Sequence, residues 1–348
     1  MRTRESAVSE ADLALIHALQ LAPRASWAQL SGALGPSADT LARRWSRLTR
    51  DGHAWSGVLP GALAAGSPAA CSAWIQVECA VGSIPDTAAR LAADPVTLTV
   101  QHVTGDADLV LYVACADLTA LDRYLTGRVH RLPGVRATRT HIITSVYRAA
   151  TQPPLGQLTP RQQRRVRELN PRVDRVPRPL APPDTADQRL LLALAEDGRL
   201  GVAALAKRCG ASESTVRRRL ARMESAGELL ALTESAPRVS GRPVWYQIRA
   251  DVPPDLIASV ATAAARMRET RTVTAVTGPH NLFVCGWLRR VEQLHEYAEK
   301  VTRIAPGLRI ADTVLSLRVH KIGAHTLSPE GLREHFVPPD IWDINGTA

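Results

Sequence analysis

The chain has 348 residues and a formal charge of +10, enough length for two to four domains with their own cores and enough charge to attract a polyanion. No stretch approaches the ~20 consecutive apolar residues of a membrane span, and MRTRESAVSEADLAL at the start lacks the apolar segment of a secretory leader, so a cytoplasmic protein with no membrane partner is expected. Cys71, Cys79, Cys115, Cys209 and Cys285 contain no C-x-x-C pair; they read as buried reduced thiols, and neither a metal nor a cofactor is predicted. Lys207, Lys300 and Lys321 are the only lysines, so arginine carries the positive charge, and its placement is what informs.

The first predicted element is a helix opening at Ser9, which can cap it while Asp12 returns three positions on; Leu13, Ile16 and Leu19 follow at helical spacing. A short helix from Trp27 to Leu34 stops at Gly35-Pro36, and Ser37 caps a third whose inward stripe is Leu41, Trp45 and Leu48. Two helices joined by a tight glycine turn form a helix-turn-helix, assigned to residues 1–60. With the stripe inside, Thr40, Arg43, Arg44 and Arg47 face outward. Arginine suits such a face, because its planar fork bonds guanine O6 and N7 in a major groove or clamps a phosphate.

Residues 70–148 carry the order β-α-β-β-α-β: strand 73–79, helix 84–93, strands 96–103 and 109–115, helix 118–131 and strand 135–147. That order is ferredoxin-like, and so small an open sheet needs a partner across its exposed face. Residues 149–183, rich in proline and arginine, read as a linker in which Arg161, Arg164, Arg165 and Arg167 are solvated.

The arrangement then repeats. Shifting the sequence by 175 residues lays Ser9–Gly57 on Asp184–Leu232 without a gap, with identities that include Asp12/Asp187, Arg24/Arg199, Gly35/Gly210, Ser37/Ser212, Arg43/Arg218, Arg44/Arg219 and Arg47/Arg222. A second helix-turn-helix is therefore placed at 184–240: Asp184 and Ser212 cap, Val216, Leu220 and Met223 point inward, and Thr215, Arg217, Arg218, Arg219 and Arg222 point outward. This denser arginine face is expected to do more of the base reading than the first. Pro237–Pro243 reads as a proline-bounded hinge. A second sensor unit spans 243–322, where Trp245-Tyr246-Gln247-Ile248 matches Trp74-Ile75-Gln76-Val77, Val276-Thr277-Gly278 matches Val103-Thr104-Gly105, and Pro306-Gly307 matches Pro133-Gly134. Trp74 and Trp245 are expected to pack within their sheets. The tail, 323–348, has no repeat partner.

The residues quoted resemble the Lrp/AsnC family of feast/famine regulators in a tandem, double-length form. The resemblance rests on both helix-turn-helix patterns and on Gly105-Asp106-Ala107-Asp108-Leu109 with Leu132-Pro133-Gly134-Val135, and Gly278-Pro279-His280-Asn281-Leu282 with Ala305-Pro306-Gly307-Leu308. It implies an α+β protein with two winged-type helix-turn-helix domains alternating with two ferredoxin-like sensor domains. It also implies sequence-specific binding of double-stranded DNA, no enzymatic activity, homo-oligomers built through the sensors, and a small effector such as an amino acid. The effector would lie at the loops of Gly105 and Asp108 and of Gly278 and Asn281. Asn281 departs from the family's acidic residue, so the two loops are not expected to bind equally. A second reading comes from haem-pathway (siroheme) decarboxylases, which share the two-module architecture and use histidine and arginine in the sensor cleft; here His141 and His320 each stand alone in the sequence.

Overall fold

The computed structural model describes residues 8–61, 70–149, 155–170 and 183–342. The first head comprises α1 (Glu10–Leu21), α2 (Trp27–Leu34) and α3 (Ala38–Arg50), started by side-chain caps at Ser9, Ser26 and Ser37. Ser9 and Asp12 form a reciprocal capping box. Leu15, Ile16, Leu19, Leu30, Leu41, Trp45 and Leu48 close its core. Strand β1 (Ala54–Pro60) leads to the first sensor unit, formed by β2 (Cys71–Cys79), α4 (Ile84–Ala92), β3 (Thr97–Val103), β4 (Leu109–Cys115), α5 (Leu118–Gly127) and β5 (Val135–Arg148). After α6 (Pro160–Glu168), the second head has α7 (Thr185–Glu196), α8 (Val202–Cys209), α9 (Glu213–Ala226) and β6 (Leu229–Ser235). The second sensor unit is β7 (Val244–Asp251), α10 (Ile257–Arg266), β8 (Thr270–Val276), β9 (Leu282–Leu288), α11 (Gln293–Thr302) and β10 (Arg309–Ile322). A hairpin of β11 (His325–Leu327) and β12 (Arg333–Phe336) follows.

The two sensor sheets are not separate. Their strands run β10-β3-β4-β2-β5-β8-β9-β7 and back to β10, all antiparallel, so four strands from each half close one eight-stranded barrel. Closure removes the free edges that two four-stranded sheets would expose. The two junctions mirror each other. The Thr104 N–H donates to the Leu315 carbonyl at one and the Thr277 N–H to the Ile142 carbonyl at the other, and in each the threonine hydroxyl accepts the partner residue's N–H in return. Buried Lys321 donates to the Asp94 carbonyl, as Arg148 donates to that of Met267.

The heads are joined in the same manner. Strands β1 and β6 pair with one another, Gly57 opposite Leu232 at the centre, so what the resemblance describes as two wings is one ribbon shared between the halves. Arg24 donates to the Gly198 carbonyl and Arg199 to the Pro23 carbonyl, a reciprocal exchange of the kind a two-fold axis generates. Arg199 also bonds the Ala25 carbonyl and stacks 3.9 Å above the Trp27 ring.

The connector and the tail are both built into the fold. Residues 155–170 are not a free linker: Thr159 and Gln162 form a capping box around Pro160, and Leu155, Leu158 and Val166 bury into the first head. The described part of the tail is likewise built in, for Arg333 bonds the carbonyls of Thr49 and Gly52 at the end of α3, while Trp342 packs against the second head's core. The sensor repeat also has a different register from the tryptophan match. Val77 pairs with Leu109 as Ala250 pairs with Leu282, an equivalence of 173 residues, so Trp74 corresponds to Gln247 and Trp245 to Ser72. A slip of two residues keeps a side chain on the same face of a strand, which is why periodicity did not expose it.

His17 fixes the connector to α1. Its ring is buried and Nδ1 accepts from the N–H groups of Gln157 and Leu158 at 3.0 and 3.1 Å, so only the neutral ring fits; burial, with Arg167 and Arg268 nearby, lowers its pKa to about 4. Between pH 6.5 and 4 the unfolded chain takes up a proton there that the native chain refuses. Its stabilising contribution is thus complete above pH 6.5 and is lost as pH falls toward 4, at up to ~1.4 kcal/mol per pH unit. Denaturant titrations at pH 7, 6 and 5 should show His17→Gln, which keeps an acceptor and does not titrate, losing stability less steeply than the wild type; parallel slopes would remove His17 from the acid response.

Candidate nucleic-acid interface

Each recognition helix presents one face to its own head and one to solvent, and the outward arginines divide between them. In the first head Arg44 and Arg47 reach back to Asp12 on α1, at 3.2 and 2.6 Å. In the second, Arg219 bonds Asp187 and Asp184, each at 2.8 Å, and Arg222 bonds Asp187 and Glu228. The carboxylates of Asp12 and Asp187 are 1% and 4% exposed, so each forms the buried side of a clamp that holds the reading helix at a fixed angle. Burial alone would raise the pKa of Asp12, but hydrogen bonds from Arg47 and Ser9 outweigh it and hold the carboxyl below its ordinary value.

Ser37 and Ser212 are engaged as caps, accepting from the N–H groups of Thr40 and Thr215 and bonding the hydroxyls of the same threonines at 2.9 Å. Arg217 is paired with Glu213 one turn away at 2.6 Å. Arg43 and Arg218, at equivalent positions, are exposed and take part in none of these pairings. The four-arginine face expected on the second helix is therefore reduced, because three of its members bond carboxylates of their own head. The first head gains basic surface from the connector: Arg161, Arg164, Arg165 and Arg167 of α6 are exposed, and Arg165 reaches the Gly32 carbonyl in α2 at 3.4 Å.

Arg24 and Arg199, which align the two heads, were not among the expected site residues, although their identity across the repeat was a visible signal. The sensor loops also differ from a simple ligand turn. Gly105 and Gly278 have φ of 99° and 113°, which favours glycine. Asp108 Oδ2 accepts from the Cys79 N–H at 2.7 Å, and Asn281 Oδ1 accepts from the Val252 N–H at 3.0 Å while its amide donates to the Val252 carbonyl. Both side chains thus tie their turn to the end of the neighbouring strand. His141 is buried with its two ring nitrogens facing the Thr277 carbonyl and the Gln76 amide, each at 3.1 Å, and burial lowers its pKa; burial brings that of His320 to about 4.

Residues 9–49 and 184–224 match the AsnC-type helix-turn-helix domain, and 72–153 match the Lrp/AsnC ligand binding domain. An uncharacterized HTH-type transcriptional regulator of Pyrococcus furiosus is 31% identical over 144 residues, 40% of this chain and 95% of the relative. The chain belongs to the Lrp/AsnC family. The HTH-type transcriptional regulator FL11 of Pyrococcus abyssi is 25% identical over 139 residues, 40% of this chain and 91% of its own. Among solved structures, the siroheme decarboxylase NirDL superposes with a TM-score of 0.58 at 17% identity, covering 92% of this chain and 96% of that one, a likeness of fold across both halves.

The clamp and the free arginines make separable claims. Arg43→Ala or Arg218→Ala should weaken operator binding by ~1–3 kcal/mol per lost base contact with no change in melting temperature. Asp12→Ala should destabilise the first head: removing one side of a buried pair costs ~3–5 kcal/mol, and the partial exposure of both arginines brings this nearer ~1–3 kcal/mol. Gel-shift titrations beside thermal melts check both; an Arg218→Ala variant that binds DNA as tightly as the wild type would deny that side chain a role.

Proposed function

We propose that this chain is a DNA-binding transcriptional regulator that carries within one polypeptide the two-headed unit that half-length relatives would make from two, and that a small molecule modulates it. The observation that carries the reading is the placement of Arg43 and Arg218. They project at equivalent points from two recognition helices, each clamped to its head through Asp12 or Asp187, and the heads are joined by the β1–β6 ribbon and the Arg24 and Arg199 exchange. Arg43 and Arg218 would read base edges. Arg161, Arg164, Arg165 and Arg167 would lie along phosphates beside the first head. Assembly of whole chains into larger oligomers is part of the proposal, as is a cytoplasmic location.

The outer faces of the reading helices differ at Asp39 against Ser214 and Ala42 against Arg217, so the operator should be an imperfect palindrome. Footprinting on selected binding sites, with light scattering to count chains, tests this. One chain protecting two unequal half-sites is expected; a perfectly symmetric site bound by equivalent heads of two chains would overturn it. Replacing Arg161 and Arg164 should lower affinity on all sequences alike and reduce the salt slope by about one per lost phosphate contact.

For the effector, the Gly105 loop is the first place to look, since Asp108 could offer its second oxygen to an ammonium group. Asn281 indicates how to test it, because an asparagine there can hold the turn. Asp108→Asn should keep the melting temperature and abolish calorimetric binding of an amino-acid effector. Equal binding by the variant would move the effector elsewhere. The decarboxylase reading has the fold likeness in its favour, but His141 places both ring nitrogens on protein groups, which leaves neither for a substrate; a tetrapyrrole absorbance band after incubation with siroheme would revive it.

A further inference from the structure

Between the barrel and the β1–β6 ribbon lies a cavity with about 100 Å³ of interior open to a water-sized sphere, continuous with solvent on one side. Its walls are aromatic. Trp55 of the ribbon, Trp74 of β2, Trp245 of β7 and Trp287 of β9 line it with Tyr112, and each of the four indoles is nearly fully buried. Trp74 and Tyr112 meet edge to face at 5.0 Å, and the Trp74 N–H is satisfied by Thr274 Oγ1 at 3.2 Å, so these rings are fixed in place.

The cavity's polarity is specific. Its one ion pair is closed on itself, Arg271 bonding both oxygens of buried Glu234 at 3.0 and 2.6 Å, which leaves no uncompensated charge for a ligand to meet there. Three buried side chains that line it carry polar atoms with no hydrogen-bond partner: the Gln101 Oε1 acceptor, the Trp287 Nε1 donor and both ring nitrogens of His325, on side chains that are 1%, 4% and 3% exposed. Buried polar groups are ordinarily paired, and acceptors and donors left open in the lining of an aromatic cavity describe the complement of a ligand.

We propose that this cavity binds an uncharged aromatic molecule of one or two fused rings that carries both a hydrogen-bond acceptor and a donor. The ring lies among the indoles, the acceptor takes the Trp287 N–H, and the donor bonds Gln101 Oε1. A zwitterionic amino acid has no counter-charge here, so this site is separate in chemistry from the Gly105 loop. The inference rests on the regulator reading only for its consequence: Gly57 and Leu232, the central pair of the ribbon joining the two heads, line the same cavity, so a bound molecule would bear on how the heads are held.

The probe is 2-naphthol, titrated into the full chain by calorimetry, with naphthalene and leucine as controls. Saturable binding of one 2-naphthol per chain is expected, weaker binding of naphthalene, and none of leucine in competition. Trp287→Phe and Gln101→Leu should each weaken 2-naphthol by about 3- to 10-fold, the loss of one net hydrogen bond. Gln101→Leu should also raise the melting temperature of the empty protein, because it removes an unpaired buried acceptor. No saturable 2-naphthol binding, unchanged affinity in both variants, or a lowered melting temperature in Gln101→Leu would overturn the proposal. Gel shifts with the same samples keep the two readings apart: DNA binding without 2-naphthol binding defeats only this inference, and 2-naphthol binding without DNA binding defeats only the regulator reading.

Discussion

The structure depends on a constraint that a four-stranded sheet imposes: one face and two edges have to be covered. Here the cover for each sensor sheet is the other sensor sheet of the same chain, bonded edge to edge at β5–β8 and β10–β3. Because the halves descend from one pattern, the contacts come in mirrored pairs: Thr104 with Leu315 and Thr277 with Ile142, Arg24 on Gly198 and Arg199 on Pro23. A chain that closes its own barrel holds both heads at fixed stoichiometry. Head placement then follows from the ribbon and from two arginines, and a reading helix is aimed by what lies behind it.

Much of this was legible in the sequence. The caps Ser9, Ser37, Asp184 and Ser212, the inward stripes and the β-α-β-β-α-β order lie where periodicity and capping chemistry put them, because these are local rules. What was not legible is long-range. Nothing in the spacing of Arg44, Arg47, Arg219 and Arg222 reveals that carboxylates some 32 to 35 residues earlier hold them, yet the identity Asp12/Asp187 carried that information alongside the arginine identities. The capping box at Thr159 and Gln162 was overlooked within a proline- and arginine-rich stretch, where composition outweighed the local signal. The sharing of β1 and β6 between halves is likewise invisible to any reading that treats each half alone.

Duplication has also let the two halves diverge where the barrel is closed to solvent. In the first half the cross-strand pair Trp74–Tyr112 is aromatic and its neighbour on the same face, Ser72–Ala114, is small. In the second half the order is exchanged: Trp245–Trp287 is aromatic and Gln247–Cys285 is not. The aromatic pair has moved by two residues along the strand, which is what made Trp74 and Trp245 look equivalent in sequence. A homodimer cannot do this, because any ring placed off its two-fold axis appears twice and any cavity is doubled or lies on the axis itself.

The same argument applies to the polar interior. His141 corresponds to Val314, and Gln76 to Arg249, whose guanidinium bonds Gln247 and Asp312 at 3.2 and 2.8 Å. A buried arginine is tolerated when carboxylate and amide partners surround it, and two such arginines face to face across an axis would repel each other in the low dielectric of a barrel. Joining the halves in one chain removes that repetition. A single cationic network can then sit toward one end of the barrel while a neutral aromatic cavity opens beneath the ribbon. The asymmetry of the chain therefore begins in its core, where each half supplies side chains that the other could not hold in duplicate, and extends from there to heads that share a clamp but differ in sequence along the outer face of the helix.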